Sequence, residues 1–271
     1  MSSNPKSAVT AQDILRFKSE QRKITALTAY DATFARLEDE AGIDIILVGD
    51  SLGMVIQGQP HTLSVTMDEL IYHTRACARG VSRALLVADM PFLSYQVSVE
   101  EALRNAGRCL KEGGAAAIKL EGGEFIAPTI ERLVRIGIPT MGHVGMQPQM
   151  VNIYGGYKIQ GRDSVQAQRI LGDALAVERA GAFAIVLEKI PQVLAAEITN
   201  QLTIPTIGIA SGPHCDGQIL VNYDMFGLTD QFKFKFVRRY FEGADLVREA
   251  VKRYSEDIRS GSFPAEGESF G

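Results

Sequence analysis

An α/β fold of the (β/α)8 barrel class is predicted by three features of this 271-residue chain. Eight short apolar runs alternate with single helical segments, the spacing of βαβ units in a parallel sheet. Most runs are apolar on both faces, as strands covered by helices must be. Several deliver acidic or basic groups at their C-terminal ends, the face where barrels of this kind carry their sites. A doubly wound open sheet is the structural alternative. Against it, no G-x-G-x-x-G follows the first run, and the charges leave many strands rather than one switch point.

Residues 1–23 are polar and read as a loose lead-in with one short helix around Ala11–Lys18. ITALTAYD, residues 24–31, is the first strand segment, and TFARLEDEA then supplies a helix that Gly42 stops. In IDIILVGDSLG, residues 43–53, an apolar strand ends at a glycine and presents Asp50 and Ser51. The stretch Leu52–Ser64 is long and glycine-bearing, which suits a loop lying over a site. Thr66 with Glu69, and Ser98 with Glu101, have the capping-box pattern that starts helices to about Arg79 and to Glu112. Between those helices ALLVADMP is the third strand and ends on Asp89. AAAIKLEGG is the fourth, carrying Lys119 and Glu121, with a helix after it through Arg135. IPTMGHVG, the fifth, carries His143. The glycine-rich, basic GGYKIQGR, residues 155–162, lacks the Walker pattern and reads as a mobile lid, with a plain surface loop as the competing view. A helix over Ser164–Ala180 leads to the sixth strand, AFAIVLEKIP, which ends on Glu188. IPTIGIASG and CDGQILV complete the eight, and a helix near Ala244–Ile258 precedes a Gly/Ser/Glu-rich tail. The expected organisation is a lead-in over 1–23, one barrel domain over 24–260 and a flexible tail over 261–271.

Composition narrows the function classes. A 46% hydrophobic, 22% charged chain can bury a full core, and a net charge of −4 offers nothing to nucleic acid or an anionic membrane. Tryptophan is absent and aromatics are few, so no stacking platform for bases is evident. Three cysteines, Cys77, Cys109 and Cys215, make an odd count with no C-x-x-C pair, which fits a reducing compartment. With no apolar signal core at the N-terminus and no apolar run near ~18 residues, a cytoplasmic location is expected.

The charged strand ends carry the chemistry. Asp50, Asp89 and Glu121 lie about one βα unit apart, so a barrel brings three carboxylates from neighbouring strands to one mouth. Three hard oxygen donors without a Cys/His ligand pattern favour Mg²⁺ over Zn²⁺. Taken singly, each is equally well a helix cap or half of an ion pair; together they would repel strongly without a cation. Lys119 alternates with Leu120 and so points to the same side as Glu121, placed to offset charge and to bind an anionic substrate, with a plain ion pair to Glu121 or Asp89 as the competing view. Glu188, at the edge of an apolar strand, is placed for a raised pKa and proton transfer, with a structural pair to Lys189 as the competing view. His143 is a candidate acid, base or donor, although a single strand-end histidine read alone is more often structural; His61, His73 and His214 have no partner spacing. Ser51 lacks a G-x-S-x-G setting, so it reads as a substrate contact and not a nucleophile.

AYDATFARLEDEAGIDIILVGDSLGMVIQG, TMDELIYHTRACARG, ADMPFLSY, AIKLEGG, MGHVGMQPQ, GGYKIQGR and CDGQILV together resemble the ketopantoate hydroxymethyltransferase family, over roughly Thr25 to Tyr240. The resemblance implies a TIM barrel of the phosphoenolpyruvate mutase/isocitrate lyase type. It also implies a Mg²⁺-dependent homo-oligomer, usually a decamer. The implied activity is transfer of a hydroxymethyl group from the co-substrate 5,10-methylenetetrahydrofolate to 3-methyl-2-oxobutanoate, through a Mg²⁺-stabilised enolate, in pantothenate biosynthesis. The family's metal ligands fall on Asp50, Asp89 and Glu121, and its oxo-acid contacts on Asp50, Ser51, Asp89 and Lys119. Its catalytic base falls on Glu188, and His143 matches a histidine near the substrate. Two departures stand out: IGIASG is less glycine-rich than the family's I-G-I-G-A-G, and Phe234 stands where proline is common. A related carbon–carbon or phosphorus–carbon lyase would share the carboxylates, but its K-x-C-G-H type loop is missing. A non-catalytic oligomeric scaffold would not need the whole set of charged strand ends.

Overall fold

The computed structural model describes residues 8–231 and 234–270, so the first seven residues of the lead-in, Phe232 and Lys233, and the last residue of the tail lie outside it. Eight parallel strands pair in sequence order and close on themselves: β1 (Ile24–Thr28), β2 (Ile45–Val48), β3 (Leu85–Asp89), β4 (Ala117–Lys119), β5 (Thr140–Gly145), β6 (Ala184–Glu188), β7 (Thr206–Ile209) and β8 (Gly217–Leu220). The closing pair is β1 with β8, registered Ile24 to Gly217. The expected (β/α)8 barrel is therefore the observed one.

Strand residues two apart share a face, and the inward set fills the barrel: Ile24 and Ala26, Ile45 and Leu47, Leu85 and Val87, Ala117, Met141, Ala184 and Val186, Ile207, Ile219. The lead-in is not loose where it is described. Thr10 and Asp13 form a capping box for the helix Ala11–Ser19, whose Ile14 and Phe17 join Val9 in that same core cluster. The i, i+3 spacing of two large apolar residues in an otherwise polar stretch was the available signal. The first strand ends earlier than the sequence suggests, because Asp31 leaves it to cap the helix Ala32–Ala41 by accepting from the Thr33 and Phe34 amides.

Asp39 on that helix is buried and organises the entry to β3, accepting from the amides of Ser82, Arg83 and Ala84 and from the Ser82 hydroxyl. Asp39→Ala leaves those donors unpaired, and each such group costs about 1–3 kcal/mol. A destabilisation on the order of 3 kcal/mol in urea unfolding is expected, with the activity of the folded protein retained.

The chain divides into two compact units at Val221/Asn222, where the sequence suggested one domain over 24–260. The barrel is the first. In the second, the helix Gly243–Ser260 ends at Gly261 in the left-handed conformation, and the rings of Phe234 and Phe236 stack at 5.6 Å. No helix among the described residues is long and apolar enough to cross a membrane.

Candidate active site

The alternation that fills the core also builds the site. On β3, Leu85 and Val87 face inward, and the next inward position is Asp89; on β4, Ala117 is followed by Lys119 and then Glu121. His143 follows Met141 on β5, and Glu188 follows Ala184 and Val186 on β6. Asp50 and Ser51 lie just beyond β2, in the turn that begins the short helix Leu52–Val55. Asp50, Asp89, Lys119, Glu121 and His143 are all buried. Every site residue expected from the sequence thus lies at the C-terminal ends of β2 to β6.

Lys119 is the hub. Its ammonium lies 2.7 Å from Asp89 Oδ1, 3.7 Å from Glu121 Oε1 and 3.1 Å from His143 Nδ1. An ammonium only donates, so Nδ1 accepts and the proton of a neutral His143 belongs on Nε2. That atom lies 3.3 Å from Glu188 Oε2, outside hydrogen-bond geometry. Burial, and then the Lys119 charge, hold His143 well below its ordinary pKa, so neither carboxylate contact is an ion pair. The hydroxyls of Ser51 and Tyr30 are 2.8 Å apart, which orients Ser51.

The cluster is short of positive charge. Burial, reinforced by Asp89, pushes the Asp50 carboxyl up to about 7 against the pull of Lys119. Burial likewise lifts Glu121 well above the usual carboxylate range; Lys119 opposes it, and Asp50 and Asp89 add to it. For Lys119, burial works against the ammonium, but Asp89, Glu121 and Asp50 outweigh it and keep the group charged. Buried Glu121 Oε1 accepts no hydrogen bond. Even so, among the described residues no three His, Cys, Asp or Glu side chains form a ready ion cage. Burial raises Glu188 to about 7 although one-fifth of its side chain stays exposed, the condition for giving and taking protons near neutrality.

The mouth depends on several residues that pattern reading passed over. Gln149, Tyr95 and Gln96 form a hydrogen-bonded group around Asp50 and Glu121. Gln149 falls in the run MGHVGMQPQ and Tyr95 ends the run ADMPFLSY, but neither run assigned them a role, and Gln96 lies in no such run. Gly145 ends β5 at φ +97, and a Cβ there would lie 2.4 Å from the Glu188 carbonyl oxygen, so no other residue fits. Lys189, at φ 51, turns the chain sharply after Glu188 and donates from Nζ to the Tyr157 carbonyl, tying the expected lid segment to the end of β6. Gln160, in the same segment, donates its amide to the Lys189 carbonyl. In IGIASG, Ala210 adopts φ 54 where the resembled pattern has glycine, a strain on the order of 1 kcal/mol. The adjoining Ser211 is buried and donates to the Leu187 carbonyl at 2.8 Å, linking the ends of β6 and β7.

Comparison with known proteins agrees with this picture. A family model described as Ketopantoate hydroxymethyltransferase matches residues 8–266. A Pelobacter propionicus protein named 3-methyl-2-oxobutanoate hydroxymethyltransferase is 58% identical over 99% of this chain and 99% of its own length. One of the same name from Geobacter sulfurreducens is 54% identical over 97% of this chain and 98% of its own. Among solved structures, a phosphonopyruvate hydrolase complex with oxalate and Mg²⁺ gives a TM-score of 0.62 at 16% identity, covering 96% of this chain and 93% of that one. 2,3-Dimethylmalate lyase, a PEP mutase/isocitrate lyase superfamily member, gives 0.59 at 16% identity, covering 98% and 90%. At such identities the likeness is one of fold, and it is the barrel type that the sequence led us to expect.

Proposed function

This chain belongs to the ketopantoate hydroxymethyltransferase family and is a hydroxymethyltransferase of pantothenate biosynthesis; we propose how its residues divide the work. The acceptor is 3-methyl-2-oxobutanoate and the product 2-dehydropantoate, with 5,10-methylenetetrahydrofolate as the one-carbon donor. Asp50, Asp89 and Glu121 hold Mg²⁺ together with the acceptor.

One observation carries the metal assignment: a single ammonium faces three buried carboxylates, two of them pushed toward their protonated forms, and one oxygen of Glu121 has no hydrogen bond. The donors are hard oxygens, which suit Mg²⁺. That Asp50, Asp89 and Glu121 form no closed cage leaves room for the waters and substrate oxygens that this ion takes beside carboxylates. When bound, Mg²⁺ supplies Lewis-acid polarisation of the acceptor's oxygens.

The protein's own groups do the rest. Ser51, oriented by Tyr30, donates to the oxo acid. Lys119 places a fixed positive charge where negative charge develops on the acceptor once its C3 proton leaves. Glu188 takes that proton, and the resulting carbon nucleophile bonds to the one-carbon unit at the formaldehyde level. Water supplies the hydroxyl oxygen as both C–N bonds to the folate break, tetrahydrofolate leaves, and the new alkoxide takes up a proton. His143, neutral and held by Lys119, presents Nε2–H on the Glu188 side of the pocket.

Incubation with 3-methyl-2-oxobutanoate and 5,10-methylenetetrahydrofolate, with and without Mg²⁺, tests the assignment; turnover unaffected by thorough chelation would end the metal role. Glu121→Ala is expected to weaken Mn²⁺ binding and turnover by roughly a hundredfold or more, with an unchanged circular-dichroism spectrum. Unchanged turnover and affinity would remove Glu121 from the ion site.

We also propose a homo-oligomer, decameric as the family resemblance implies. The helix Gly243–Ser260 supports it, with Leu246, Val247, Val251, Tyr254 and Ile258 all exposed. Sedimentation velocity decides the subunit number. A cytoplasmic location is supported by Cys77, Cys109 and Cys215, all buried and free.

A further inference from the structure

Gln149 lies on the turn Pro148–Met150 in the loop after β5, and its side chain is buried. Its Nε2 donates to Asp50 Oδ2 at 3.0 Å and to the Met90 carbonyl at 3.0 Å. Its Oε1 accepts from the Tyr95 hydroxyl at 2.7 Å and from Gln96 Nε2 at 2.9 Å. Its backbone amide donates to Glu121 Oε2 at 3.1 Å. Both donors and both acceptor sites of the amide are used, so the group is fully satisfied. Its orientation is fixed by chemistry as well: a carbonyl can only accept, so the NH2 end must face Met90 and hence Asp50.

One residue therefore holds two carboxylates that repel each other, Asp50 through its side chain and Glu121 through its backbone. Each contact takes one oxygen and leaves the other, Asp50 Oδ1 and Glu121 Oε1, on the remaining side of its carboxylate. Tyr95 braces the arrangement from behind, because its hydroxyl also accepts from the Glu121 amide at 3.0 Å. A core glutamine that served packing alone would have no reason to join two acids that lie 28 and 99 residues before it in the chain.

We propose that Gln149 is a positioning residue that sets the separation of the Asp50 and Glu121 carboxylates so that both present an oxygen to one divalent cation. This rests on the ion site described above, and its test separates the two ideas. Mn²⁺ is titrated into the metal-free full-length protein, with and without 3-methyl-2-oxobutanoate, and followed by electron paramagnetic resonance. The wild type is compared with Gln149→Met, which keeps the length and apolar bulk of the side chain but none of its hydrogen bonds.

The dissociation constant of the variant is expected to rise about ten- to a hundredfold, the usual effect of losing a residue that orients a ligand. At saturating Mn²⁺, kcat is expected to stay within about threefold of the wild type, because Gln149 does not reach Glu188. Mn²⁺ affinity within twofold of the wild type in a folded variant overturns the proposal. So does a loss of kcat with affinity unchanged, which is the pattern of a merely structural residue. If Gln149→Met does not fold, Tyr95→Phe decides: removing one brace should weaken Mn²⁺ about threefold, and unchanged affinity overturns the proposal. Failure of the wild type itself to bind Mn²⁺ would remove the ion site and this role with it.

Discussion

Glu188→Gln is expected to lower turnover by about a hundred- to ten-thousandfold while 3-methyl-2-oxobutanoate still binds. The substitution keeps the shape and removes the basicity. Glu188 is set for this effect by its place at the last inward position of β6, where burial raises it to about 7 and one-fifth of the side chain still meets the pocket. Two readouts follow. Exchange of the C3 deuterium of labelled acceptor, observed by NMR without the folate, should disappear in the variant. In the wild type the ionised carboxylate is the base, so the rate should rise about tenfold per pH unit from the acid side and level off above about pH 7. Normal exchange in Glu188→Gln would assign the proton step to another group.

Lys119→Met is expected to destabilise the metal-free protein by about 3–5 kcal/mol, the cost of leaving buried charge without its partner. Only 4% of the Lys119 side chain is exposed, and its ammonium is 2.7 Å from Asp89 and 3.7 Å from Glu121. Its removal leaves Asp50, Asp89 and Glu121 to neutralise one another with protons alone. The loss should therefore be largest at high pH and shrink as pH falls, because Asp50 and Glu121, already raised, then take up protons readily. Urea unfolding of the metal-free protein across pH measures this. A loss below about 1 kcal/mol, independent of pH, would mean that Lys119 is not the counter-ion of the cluster.

The site and the core come from one periodicity, which is why so much of both was legible. A strand's alternation is local: once Val87 is assigned to the core, Asp89 must point the same way, and Ala117 leads in turn to Lys119 and Glu121. The capping box at Thr66, the cap in which Ser98 accepts from the Glu101 amide without the reciprocal contact, and the glycine stop at Gly42 are local as well, and they bound the helices. Other features escaped the pattern. Ile14 and Phe17 look like two apolar residues in a polar lead-in until the barrel they pack against exists. Tyr95, Gln96 and Gln149 are ordinary loop residues in sequence, and they meet only because the loops after β3 and β5 converge over Asp50 and Glu121.

The sequence by itself determined the succession of strands and helices that led us to expect a barrel, and which acids and bases stand at the strand ends. Those follow from short-range rules of alternation and capping that each segment obeys alone. Only the tertiary structure decided how the groups are paired: Lys119 against Asp89, a neutral His143 between Lys119 and Glu188, and Gln149 across Asp50 and Glu121. Pairing depends on distances of about 3 Å between residues far apart in the chain, and on a buried setting in which each charge is felt strongly by the next. Neither is a property of any one stretch of residues.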